Sequence, residues 1–165
     1  MLIYIGCYAR ADTPGIFVCE LDPYNGQLTK VHEMSGVENP TFLALNSNRT
    51  HLYCVSEVEG FEGEKGGGLV AFALEEEGKT LNRLNSQPSM GKAPCHLSLS
   101  QDENHLLAAN YGNGSISLYT LNENGSLNPA SHYIQHEGSS VNLERQEGPH
   151  AHMIQMTPDG QFVIT

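Results

Sequence analysis

The sequence has 165 residues, with 19 acidic against 8 basic side chains and a formal charge of −11, and it is long enough for one domain with its own core. So acidic a surface repels phosphate backbones, which argues against nucleic-acid binding. No long apolar run suggests a membrane span, and no charged-then-apolar start suggests a secretory leader. Glycine at 17 positions with only 16% charged residues predicts many turns rather than disorder or long helices.

In chain order the predicted elements are all strands. Residues 2–7 form a first apolar run, and residues 15–21 a second that follows a glycine. Gly26-Gln27-Leu28 turns into a more polar third segment. Residues 40–45, 52–57, 69–74 and 81–87 then give four strands in sequence, and residues 94–99, 106–111, 116–121 and 127–135 give four more. Residues 152–156, a Thr157-Pro158-Asp159-Gly160 turn and residues 163–165 begin the pattern again. The first strands superimpose on one another: Thr41 aligns with Cys95 and Cys95 with His152, shifts of 54 and 57 residues. Alternation at period 2 and turn residues at regular spacing predict antiparallel β-structure throughout.

Four strands in roughly fifty residues is the signature of a β-propeller blade. The fold class expected is therefore all-β, a β-propeller represented here by about three four-stranded blades. Residues 1–165 read as the N-terminal part of a single propeller domain, truncated at its C-terminus. The chain starts on a second-type strand and stops inside an apolar β-branched run, so the missing C-terminal blades are expected to close the ring. Two unclosed sheet ends predict low stability, association and little activity for the chain alone. The competing architecture is a free-standing β-sandwich.

Cys7, Cys19, Cys54 and Cys95 form no C-x-x-C pair and read as four buried free thiols in a reducing compartment. Gly66-Gly67-Gly68 lacks the Lys-Ser/Thr of a phosphate loop and reads as a hairpin. The triplets Asn48-Arg49-Thr50, Asn113-Gly114-Ser115 and Asn124-Gly125-Ser126 read as turns. His32, His51, His105, His132 and His136 fall on turns or polar fourth strands and read as surface residues.

Antiparallel first and second strands put the start of one and the end of the other on the same face of the disc. Asn39, His96, His150 and His152 begin first strands. Glu57, Asn110 and Tyr111 end second strands. Glu144, Arg145 and Gln146 lie in the long loop before the last first strand. All are expected at the mouth of the central channel, where convergent polar groups make a candidate site. Arg145 offers a planar fork to an anion or developing oxyanion. His150 and His152, two apart in extended chain, point the same way, and an imidazole can move a proton to or from water. The bland readings are a hydrogen-bonded His-x-His, a buried His96, a solvated Glu57, an Asn110 that holds its own turn, and a Tyr111 that packs.

Several segments resemble the lactonase family of seven-bladed β-propellers: Tyr4-Ile5-Gly6, Gly15-Ile16-Phe17, Asn39-Pro40-Thr41-Phe42-Leu43, Pro94-Cys95-His96-Leu97-Ser98 and Ala109-Asn110-Tyr111-Gly112. The most specific is Arg145-Gln146-Glu147-Gly148-Pro149-His150-Ala151-His152. Ser56-Glu57 departs from the family's usual Asn-Glu. The resemblance implies a cytoplasmic hydrolase of a sugar lactone, typically 6-phosphogluconolactone to 6-phosphogluconate in the pentose phosphate pathway, with no cofactor. Catalytic roles then fall to His150 or His152 as general base, Glu57 as its orienting carboxylate and Arg145 as oxyanion partner. Substrate-positioning roles fall to His96, Asn110, Tyr111 and Gln146. The alternatives are a metal-dependent hydrolase ligated by His150, His152, His96 and Glu57, and a non-catalytic propeller that binds partners on its rim, against which stands the absence of Trp-Asp dipeptides.

Overall fold

The computed structural model describes residues 1–165. It contains fifteen short strands and one single-turn 3-10 segment at Glu76–Gly78. The first sheet has three antiparallel strands, β1 (Leu2–Gly6), β2 (Ile16–Leu21) and β3 (Leu28–Met34). The second is built from β4 (Leu43–Leu45), β5 (His51–Ser56), β8 (Gly68–Glu75) and β9 (Thr80–Pro88), in that spatial order. Between β5 and β8 projects a small hairpin of β6 (Gly60–Phe61) and β7 (Glu64–Lys65). The third sheet runs β10 (Pro94–Leu99), β11 (His105–Asn110), β12 (Ser115–Leu121), β13 (Leu127–Gln135). β14 (Gln155–Met156) and β15 (Val163–Ile164) pair as the opening of a fourth. No helix is long and apolar enough to cross a membrane.

Period-2 alternation decides where each side chain goes. In β5, Leu52 and Cys54 join the core between the first and second sheets, while Tyr53 and Val55 join the core between the second and third. In β8, Val70 and Phe72 face the first sheet, and Leu69 and Ala71 the third. The middle sheet is therefore apolar on both faces, and each fully buried Leu or Phe contributes about 1.5–3 kcal/mol. β11 repeats the rule one sheet further on. Leu106 and Ala108 face inward, while Leu107 and Ala109 pack on Ala151 and Ile154. Beyond that small cluster the outer edge stays open, with Ile134, Phe162 and Ile164 exposed.

Polar contacts register the sheets against each other. The Tyr4 hydroxyl donates to the Gly78 carbonyl in the next sheet (2.8 Å), and Tyr53 repeats the contact on Gly125 (3.0 Å). Burial pushes the Tyr53 phenol up to about 12. Asn85 reads the Leu127 backbone at both its carbonyl (2.7 Å) and its amide (2.9 Å). A glycine before each third-type strand meets the proline that opens the next sheet. A Cβ at Gly15, Gly67 or Gly114 would lie 2.7, 2.1 and 2.1 Å from Pro40, Pro94 and Pro149 respectively.

Two expected first strands are shorter than the sequence pattern predicts. Residues 40–45 reduce to Leu43–Leu45, and residues 152–156 to Gln155–Met156. In the first case Pro40 has no N–H to donate, and Asn39 before it is left-handed (φ 48). Of the four free cysteines, Cys19 and Cys54 are buried as expected, but Cys7 and Cys95 are only half-buried. His51 is not simply a surface residue, since its Nε2 meets the Asn124 carbonyl of the next sheet at 2.9 Å.

Candidate functional site

Residues brought by the ends of second strands and the starts of first strands do meet on one face. The Asn39 carbonyl accepts the Glu57 amide (3.1 Å), and one sheet further on the Ala93 carbonyl accepts the Tyr111 amide (3.0 Å). His150 follows Pro149, which is seated on Gly114. Its ring stacks on Tyr111, with centroids 4.6 Å apart and planes at 26°. His152 meets the same Tyr111 ring edge-on at 5.6 Å. His96 packs on Phe42 at 4.3 Å, and its Nδ1 accepts the Ile154 amide at 3.3 Å. Burial and then the charge of His152 hold the His96 imidazole below the ordinary histidine range. His150, His152 and Tyr111 thus form one cluster, with His96 and Phe42 packed beside it.

The tautomer of His150 follows from its partners. Nδ1 lies 2.9 Å from the Tyr111 carbonyl oxygen. A carbonyl only accepts, so Nδ1 carries the proton and Nε2 keeps its lone pair. Nε2 lies 3.4 Å from Glu147 Oε1. His150 and Arg145 line one open concavity of about 370 Å³, together with Gln146 and the Gly138-Ser139-Ser140 backbone. The Arg145 side chain is exposed and forms no salt bridge.

Two expected roles need correction. Glu57 orients no histidine: Tyr8 donates to its Oε1 (2.9 Å) and the Thr41 hydroxyl to its Oε2. Asn110 does not face the channel mouth. Its side chain is fully buried, donating to the Ser89 carbonyl (3.2 Å) and Ser115 Oγ (3.1 Å) under Gly91. It closes β11, a strand buried on both faces, so its end has no outer side to present. Gln146 lines the Arg145 concavity, and its Oε1 also accepts the Asn142 amide (3.2 Å) of its own loop. No three His, Cys, Asp or Glu side chains gather at metal-binding geometry, so the four proposed ligands do not form a cage.

Two residues escaped the sequence reading. Glu147 lies inside the most distinctive motif, and its spacing of three from His150 was the available signal. Tyr8 follows Cys7, the position that the repeat aligns with Glu57 and Tyr111, so a reading carried one residue further would have found it.

Comparison with known proteins fixes the family. The profile described as "Lactonase, 7-bladed beta-propeller" matches residues 2–165. The chain belongs to that lactonase family. It is 32% identical to the 6-phosphogluconolactonase of Bacillus subtilis over 98% of its own length and 44% of the relative's. The solved periplasmic gluconolactonase of Pseudomonas aeruginosa superimposes with a TM-score of 0.88 at 26% identity, covering 98% of this chain and 46% of that one. A Bacteroides fragilis protein provisionally named as a 6-phosphogluconolactonase gives 0.87 at 31% identity, covering 97% and 43%. The chain therefore spans under half the length of these relatives, and its sheets form part of a propeller.

Proposed function

We propose that the protein hydrolyses a sugar lactone, with 6-phosphogluconolactone as the substrate, by metal-independent attack of water. The observation that carries the reading is His150 beside Arg145: an imidazole whose Nδ1 proton is committed to a carbonyl (2.9 Å), lining one concavity with an unpaired guanidinium. Nε2 of His150 takes a proton from water as the oxygen adds to the lactone carbonyl carbon. Arg145 meets the resulting tetrahedral oxyanion. Collapse breaks the bond from carbon to ring oxygen, and the imidazolium returns its proton to that oxygen, giving the open hydroxy acid. The Glu147 carboxylate at 3.4 Å stabilises the charged histidine between the two steps.

The chain supplies three sheets and the opening of a fourth to a seven-bladed ring, as the match to its longer relatives suggests. Metal independence is supported by the engagement of the candidate ligands: Glu57 holds Tyr8 and Thr41, and His96 Nδ1 accepts the Ile154 amide. Four unpaired thiols favour the cytoplasm.

The test is turnover of 6-phosphogluconolactone by the full-length protein. His150→Ala is expected to lower kcat by about 10²–10⁴-fold, His152→Ala by less, and EDTA to leave the rate unchanged. Wild-type turnover in His150→Ala would overturn the assignment.

A further inference from the structure

Tyr8 lies on the β1–β2 loop, on the same face as the histidines, and is 71% exposed. An exposed phenol usually swings between waters, but this one is held. Its hydroxyl donates to Glu57 Oε1 at 2.9 Å, and that contact raises the phenol above its ordinary range. The Thr41 hydroxyl donates to the other Glu57 oxygen. The corner is built before any ligand arrives. The Ala9 amide donates to Asn39 Oδ1 (3.1 Å), and the Asn39 amide donates to the Ala9 carbonyl (2.8 Å). Asn39 Nδ2 also reaches the Glu57 carbonyl at 3.2 Å. The loop that carries Tyr8 is thereby clamped to the strand end that carries Glu57.

The direction of these bonds has a chemical consequence. Each hydroxyl has one proton, and both protons point at the carboxylate. The Tyr8 and Thr41 oxygens are left with lone pairs only, beside a negative charge. Such a corner accepts hydrogen bonds from O–H donors and repels phosphate or carboxylate oxygens. Cys95, the neighbouring thiol, adds no charge near neutrality, because burial and the Glu57 charge push it up to about 11. Its sulfur lies 3.7 Å from the His152 carbonyl, which ties the corner to the histidine cluster.

We propose that Tyr8, with Thr41 and backed by Glu57, is a specificity subsite that reads the hydroxyl groups of the sugar portion, while Arg145 takes the anionic or oxyanionic end. The inference rests on the lactonase reading given above and assigns the site a polarity: hydroxyl donors toward Tyr8, negative charge toward Arg145.

The test compares two lactones with the same six-membered ring, δ-gluconolactone and the hydroxyl-free δ-valerolactone, on the full-length protein. Tyr8→Phe is expected to raise KM for gluconolactone about ten-fold with kcat within about two-fold, and to leave valerolactone unaffected. Glu57→Gln should act in the same direction, because an amide can donate to the phenol and turn its proton outward. Equal changes for both lactones, or none for gluconolactone, would overturn the subsite and leave the lactonase reading standing. A wild-type protein that hydrolyses 6-phosphogluconolactone but does not prefer gluconolactone over valerolactone would overturn the subsite alone, and one that hydrolyses none of the three would remove both readings.

Discussion

Around Glu57, separate segments converge: Tyr8 and Thr41 hold its carboxylate, and Asn39 holds its backbone on both sides. Around Arg145 the bonding is internal to the 138–149 loop. Asn142 Oδ1 accepts the Glu144 and Arg145 amides (3.1 Å each), its carbonyl accepts the Gln146 amide (2.7 Å), and Ser140 donates to the Gln146 carbonyl (2.9 Å). Val141 and Leu143 stand 95% and 80% exposed on its tip, so no core packing holds it. The loop is tied to the body chiefly at its end, where Pro149 meets Gly114 and His150 meets the Tyr111 carbonyl. The recognition corner is preorganised by other elements, whereas the Arg145 loop keeps its own shape and hangs from one anchor. That suits a fixed reader of hydroxyls beside a cation able to follow charge as it develops.

The sharpest way to break this contrast is to loosen each anchor in turn. A Cβ at Gly114 would lie 2.1 Å from the Pro149 carbonyl oxygen, and the residue is left-handed (φ +64). Gly114→Ala is therefore expected to destabilise the fold by about 3 kcal/mol, combining overpacking with backbone strain. Gly15→Ala, whose Cβ would meet the Pro40 ring at 2.7 Å without a positive φ, is expected to cost about 1–2 kcal/mol. Urea unfolding measures both. Equal midpoints for the two variants would deny that the anchors differ.

Much of this architecture could be read before any coordinates. Period-2 runs and glycine-led third strands marked the three large sheets but not the β6–β7 hairpin, and the antiparallel rule placed His96, Tyr111, His150 and His152 on one face. The glycine signal had a cause that pattern alone does not state, namely contact with the next sheet's proline. What stayed hidden depends on contacts between residues distant in sequence. Tyr8 reaches Glu57 across 49 positions, and no local pattern assigns a donor to a carboxylate. Asn110 was misplaced because alternation tells which side of a strand a residue takes. It does not tell whether both sides are covered, as they are for β11.

A finer comparison sets the two asparagines against each other. Asn39→Ala removes the side-chain bonds to Ala9 and Glu57 and leaves alanine at a left-handed position before proline. The expected loss is about 2 kcal/mol, with faster exchange of the Ala9 amide. Asn142→Ala removes only exposed bonds inside its loop, so stability should change by under about 1 kcal/mol. Its signature is faster exchange confined to Glu144 and Arg145. Exchange that spreads into the sheets after Asn142→Ala would mean the loop is not a separate unit.

The smallest effect concerns the seam between the two regions, where His96 lies against Phe42, His152 and the Ile154 amide. Burial and the His152 charge depress its folded value, so at mildly acid pH the unfolded chain binds the extra proton first. Stability from this group is then complete above the ordinary histidine value of about 6.5. It is lost as the pH falls from there through the depressed folded value. Protonation also converts Nδ1 from an acceptor to a donor, which removes the bond to Ile154 and pushes His96 and His152 apart. Urea midpoints at pH 8 and pH 5.5 should therefore differ less in His96→Gln than in the wild type. An unchanged difference would assign the acid sensitivity to other groups and leave the seam indifferent to charge.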